Sequence, residues 1–346
     1  MNKTSTQKFN FSLSASFSLK TVIAIFALIF AFVLSILVGS QNLSLQQFAQ
    51  AFSQKESFAH TIIFSLRLPR SILVAISGML LAASGSAFQM YFRNSLAEPG
   101  IIGISAGATL GAVIAQSFGI ATIAFGTISS VNVFAFLGAI IAGGIITLLS
   151  TRSSKDASVT LLLCGSALGT FYSSISSIIL LTKTKELHGI YTWILGSFNG
   201  RSWQEVFIIL VPSVVAIAIL LFSSGKLDLM AGGETSAKAL GLDTKKLKIV
   251  IIIAASLAVS ASVCAGGTIN FIGLIAPHIV RKIYGTKGKT LIPISMLYGA
   301  ILLLLSDTIA RTIIAPAELP AGLITSLLGV PFFIFRYIFS FHIALS

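Results

Sequence analysis

Ten apolar runs of roughly helical length, parted by short polar turns, constrain this chain more than any other feature. They fall near residues 21–39, 69–90, 100–118, 131–150, 159–182, 205–222, 249–267, 270–284, 291–309 and 322–341. Most approach the ~20 residues a helix needs to cross the hydrocarbon core. Backbone in that core finds no water, so its amides must be bonded within a helix or a closed barrel. The run lengths, and a composition rich in Leu, Ile, Phe, Ser and Gly, favour helices. Only 10% of the 346 residues are charged, against about 25% in a soluble domain, and mean hydropathy is +0.97. The expected fold is therefore an all-α polytopic membrane protein of about ten transmembrane helices. The eighth run, 270–284, is short and contains Pro277, so a broken or tilted helix is expected there.

Charge sets the orientation. With the N-terminus inside, 16 of the 23 basic residues lie on the cytoplasmic side. The outside holds Lys55, Arg67, Arg70, Lys183, Lys185, Arg201 and Arg311. Cytoplasmic loops carry the Lys/Arg excess, so both termini are expected inside, in a multi-pass protein of the cytoplasmic membrane. The net charge of +13 is spread over these loops, a pattern that argues against a nucleic-acid surface. Residues 1–20 read as a cytoplasmic tail and 21–346 as one transmembrane domain with a cytoplasmic loop at 223–248. The run Thr21–Val38 exceeds the ~7–15 residues of a signal core and reads as a retained first span. Cys164 and Cys264 sit inside apolar runs and suggest neither a disulfide framework nor a metal site.

An ATP site is missing. Gly285-Thr286-Lys287-Gly288-Lys289-Thr290 ends like a phosphate-binding loop, but has two residues between its glycines where that motif needs four. The cytoplasmic loop instead contains a short helix signal, Glu234–Leu240, with an acid in its first turn and Gly241 just beyond. Such a helix is either a handle for a soluble partner or a plain connector. In the fifth run Ser166, Thr170, Ser173 and Ser177 share one helical face, which must look at protein or water. Gly103, Gly107 and Gly111 recur every four residues and favour close helix packing. Arg67, Arg70 and Arg311 mark the outer ends of two spans, as interfacial anchors or as a receiving surface; Arg311 also stands four residues after Asp307 and can pair with it. His60, His188, His278 and His342 lie in separate segments with no ligand spacing.

Seven stretches then resemble, in order, the signature segments of FecCD-type permease subunits of ABC importers for ferric siderophores, haem and cobalamin. They are Arg67–Arg70 (RLPR), Asn94–Pro99, Trp193–Ser197 (WILGS), Gly232–Gly241, Gly267–Arg281, Ser306–Arg311 and Glu318–Phe333. Ser95 stands where the family usually has proline. The resemblance implies a BtuC-like, type II permease that pairs with a second permease subunit around a central pathway, alike or related. It implies two ATPase subunits, which carry the ATP and Mg, and an extracytoplasmic substrate-binding protein; no cofactor is implied in this chain. It further implies that Gly232, Gly233, Glu234, Ala237, Leu240 and Gly241 couple to the ATPase, and that Arg67, Arg70 and Arg311 receive the binding protein. Ser166, Thr170, Ser173 and Ser177 would line the pathway, and Asn94, Leu96 and Ser158 would lie at the cytoplasmic gate. The cargo implied is an iron chelate, a ferric siderophore first and haem or cobalamin next. An ion-coupled secondary transporter is the alternative and would need intramembrane acids; Asp307 and Glu318 are the acids near the span ends.

Overall fold

The structure is a computed structural model. It describes the backbone except at residues 1–3, 42, 101–102, 119–123, 126–127, 153–156, 183–186 and 346. Side chains are described except at those positions and at 4–18, 45, 124–125, 128–129, 150–152, 157–162, 187–190 and 335–345. Of the basic residues used to orient the chain, Lys3, Lys155, Lys183 and Lys185 fall outside the described residues.

Each apolar run contains a helix. In chain order these are α1 (Thr4–Leu37), α2 (Leu45–Ser53), α3 (Phe58–His60), a π-helical stretch (Thr61–Arg67), α4 (Leu68–Tyr91), α5 (Ile104–Ser117), α6 (Ser130–Arg152) and α7 (Ala157–Thr182). They continue with α8 (Leu187–Ile194), α9 (Trp203–Met230), α10 (Glu234–Ala239), α11 (Thr244–Gly266), α12 (Ile272–Tyr284), α13 (Gly288–Thr312) and α14 (Ala321–Leu345). A two-residue antiparallel ladder, β1 (Ala124–Phe125) with β2 (Ile128–Ser129), joins α5 to α6. Among the described residues seven helical segments are long and apolar enough to cross a membrane; α5 is shorter, as is the described part of α14. The eighth run is not broken at Pro277: α12 runs unbroken from Ile272 to Tyr284, and the irregular backbone lies before it, between α11 and α12. Gly267–Phe271 is non-helical, Phe271 has φ +69°, and only 13 residues of helix follow, with Pro277 inside them.

The α4 helix is the hub. It packs on α13, α11, α9 and α12, and most of its side chains are buried. Small residues let it do so. A Cβ added at Gly78 would lie 2.4 Å from the Gly299 carbonyl oxygen on α13, and one at Gly85 would lie 2.0 Å from that of Gly273 on α12. The α5 glycines act likewise: a Cβ at Gly111 would meet the Phe134 carbonyl oxygen of α6 at 2.0 Å. This is how helices associate where lipid removes the usual hydrophobic drive. Lys20 donates to the Ile283 carbonyl at 3.4 Å, so the basic start of the first span and the basic end of α12 share the cytoplasmic side.

Candidate functional site

At the outer end, one acid organises three helices. Asp307 on α13 is fully buried. Arg70 on α4 reaches it at 2.9 Å and Arg311, one turn further along α13, at 3.1 Å. Arg70 also pairs with Glu318 at 2.7 Å, and Ser40 donates to Glu318 at 2.8 Å. Arg311 donates to the carbonyl and hydroxyl oxygens of Ser35 on α1, at 2.9 and 3.0 Å. Arg67 spends its guanidinium on the backbone carbonyls of Ile36, Leu37 and Gln41. The three arginines expected to form an open receiving ring are thus only 5%, 7% and 2% exposed. Pairing and carbonyl bonding draw them inward, because a desolvated guanidinium is tolerable only when its donors are used. They line a cavity of about 220 Å³, together with Arg201 and the Phe198–Gly200 turn. These four arginines, set against Asp307, Glu318 and the Glu205 that lies 3.9 Å from Arg201, leave that wall with an excess positive charge.

Beside this cluster, three of the family-like stretches meet. Gly196 has φ +77°, and a Cβ there would lie 2.3 Å from the Thr268 carbonyl oxygen. A Cβ at Gly267, with φ +72°, would lie 2.0 Å from the Trp193 carbonyl oxygen. The Thr268 hydroxyl donates to the Ile194 carbonyl, and the Gly322 amide donates to that of Gly196 at 3.0 Å. Only glycine fits such positive-φ, backbone-on-backbone approaches. The knot fixes the outer ends of α8, α11 and α14 relative to each other.

At the cytoplasmic end the short helix signal is realised over Glu234–Ala239, between Gly233 (φ +97°) and Gly241 (φ +82°). Ala237 is buried and seats the helix on the molecule, while Leu240 is 68% exposed. Gly232, Glu234 and Gly241 are exposed as well. Glu234 pairs with Lys238 at 2.8 Å and accepts from Thr244 at 3.1 Å. The Lys238 ammonium, with help from Thr244, holds the Glu234 carboxyl below its ordinary range. The α4–α5 turn abuts this helix. Arg93 takes φ +50°, and its Nη1 lies 3.2 Å from where a Gly233 Cβ would stand. Tyr91 donates to the Thr244 carbonyl at 3.1 Å.

Asn94 closes that turn by accepting the Leu96 amide at 2.9 Å, an Asx-type contact. Leu96 is half-exposed. Ser158 lies in the first turn of α7, but its side chain is outside the described residues. Further along α7, Ser166, Thr170, Ser173 and Ser177 stand together on an exposed face. The Ser166, Thr170 and Ser177 hydroxyls donate to carbonyls three or four residues back, at 2.9–3.0 Å, which meets their donor need within the helix. Among the described residues no group of three or more His, Cys, Asp or Glu could hold a metal.

Glu98 escaped the sequence reading. It sits in the α4–α5 turn, is 8% exposed, and faces Gly273 in the first turn of α12. Burial pushes its carboxyl up to about 7, with the Gly273 amide opposing. Gln89 donates to the Gly273 carbonyl at 3.0 Å, so α4 and the turn hold this glycine from two sides. The only available signal was a lone acid in a short turn.

Comparison with known proteins places these features in a context. The profile of the FecCD transport family matches residues 27–339. The chain is 36% identical over 277 residues to the cobalamin import system permease protein of Halobacterium salinarum, covering 80% of this chain and 73% of that one. It is 36% identical over 324 residues to the Fe(3+)-citrate import system permease protein YfmD of Bacillus subtilis, covering 93% and 95%. A solved inward-facing structure, described as of metal-chelate ABC transporter type, superposes with TM-score 0.79 at 30% identity, covering 90% of this chain and 96% of the other.

Proposed function

The chain belongs to the FecCD transport family, as a membrane permease subunit of an ABC importer, and from that premise we propose that it moves an iron chelate inward by alternating access. A ferric siderophore is the first candidate cargo, with haem and cobalamin next. The observation that carries the reading is the Glu234–Ala239 helix. It is solvent-facing, bracketed by positive-φ glycines, and in contact through Gly233 with the turn that ends the hub helix. A push on this helix by an ATPase subunit would therefore reach α4, and through α4 most of the bundle. ATP and Mg belong to that subunit, and a second permease chain completes the pathway beside the exposed hydroxyl face of α7.

At the outer face, the electropositive cavity at Arg67, Arg70 and Arg311 offers a recessed seat for an acidic side chain of a substrate-binding protein. Charge complementarity of this kind governs encounter rate and weakens with salt. Against ion-coupled transport, the two candidate acids are already committed: Asp307 to two arginines and Glu318 to one.

The direct test is Leu240→Asp. This side chain is exposed, so the fold should survive, while co-purification with the ATPase subunit should fall at least tenfold, the scale of one lost apolar anchor (about 1.5–3 kcal/mol). Undiminished association would show that the ATPase docks elsewhere.

A further inference from the structure

We propose that the crevice between α6, α9 and α11 binds one acyl chain of an outer-leaflet phospholipid, with the Asn132 side chain holding the ester carbonyl at its head. The crevice has a volume of about 460 Å³, and its walls include Phe136, Leu137, Ile208, Pro212 and Leu257. It lies near the outer end of the bundle. Asn132 is two residues into α6, which descends from outside, and Cys264 at the same wall is two residues from the outer end of α11. Around it Phe207, Val211 and Val214 of α9 are 67%, 69% and 58% exposed. On a membrane span such residues face hydrocarbon, so the crevice opens to lipid tails rather than to water.

Its chemistry selects the occupant. Apolar hollows stay dry and accept hydrocarbon. Yet Asn132 is 1% exposed and its Nδ2 has no hydrogen-bond partner among the described residues, a costly state for a buried donor. Asn132 stands on the crevice wall, and its soft χ2 lets the NH2 turn to an acceptor lodged there. The acceptor must then arrive attached to an apolar chain, at the depth where α6 begins. An ester carbonyl above its own acyl tail meets both conditions. The site is independent of the transport reading.

The test uses the full chain with its ATPase partner in vesicles of phosphatidylethanolamine and phosphatidylglycerol. These are doped with a diester phospholipid carrying a diazirine in one acyl chain, or with its ether-linked twin. After photolysis, adducts are mapped by peptide mass spectrometry. Labelling should concentrate on the crevice walls, and the ester probe should exceed the ether probe by roughly fivefold, the scale of one neutral hydrogen bond. Asn132→Leu should abolish the ester preference while labelling at Phe222, on the open flank, stays unchanged. Val215→Trp, at the exposed mouth, should deplete crevice adducts. Uniform labelling along α9, or equal ester and ether labelling in the unaltered chain, would overturn the proposal. So would chain-to-chain crosslinking through Val211→Cys that displaces lipid adducts, since a second copy would then be the occupant.

Discussion

A single carboxylate, Asp307, ties α4 to α13 at their outer ends and, through Arg311, helps hold α1 beside them. It is fully buried and shared by Arg70 and Arg311. Removing one partner of a buried ion pair leaves an uncompensated charge and costs about 3–5 kcal/mol. Asp307→Ala should therefore lower thermal stability sharply in detergent, with loss of the outer cavity. A melting temperature unchanged from the parent would show that the pairs are incidental. Glu98 yields a second residue-scale expectation. Its folded carboxyl titrates near 7 against an ordinary 4.5, so between those values the folded state holds a proton that the unfolded state has released. Stability should thus fall as pH rises from 4.5 to 7. Glu98→Gln should remove that slope and be the more stable form above pH 7, by up to about 3 kcal/mol. Parallel pH–stability curves for the two proteins would contradict the burial argument.

Among the elements, α5 and α6 meet along a close-packed seam. Gly111 admits no Cβ without moving the Phe134 carbonyl. Gly111→Val should separate the two helices at a cost of about 1–3 kcal/mol, the usual range for overpacking. Cysteine crosslinking across the seam would read the loss, and full crosslinking at parental rate would refute it. Much at this scale was legible beforehand. The ten apolar runs each became helix because burial of backbone polar groups leaves a membrane chain little else to form. The eighth run was rightly read as short, but Pro277 does not break its helix; the small cytoplasmic helix was foreshadowed by an acid at its start and a glycine past its end. What could not be read was long-range pairing. Arg311 and Asp307 are one helical turn apart, so their bond could be anticipated. Arg70 and Asp307 are 237 positions apart, and no local pattern joins them. Hence the arginines read as an open ring when they are recessed and paired. Glu98 stayed invisible for the same reason, since its burial depends on α12, which lies far along the chain.

For the whole molecule, the architecture links two ends through one central helix. The outer ion cluster and the glycine knot grip the top of the bundle, and the α4–α5 turn rests on the small cytoplasmic helix at the bottom. A permease that works by alternating access needs such a link, since ATP is spent on one side of the membrane and cargo arrives on the other. The measurement that tests this most directly is uptake of a radiolabelled ferric siderophore into vesicles. These would contain the chain with its permease, ATPase and binding-protein partners, and ferric citrate, haem and cobalamin would be offered in parallel. Accumulation of one of these ligands only with ATP, and its loss with Leu240→Asp, is the expected result; uptake that needs no ATP and follows an imposed ion gradient would contradict the account.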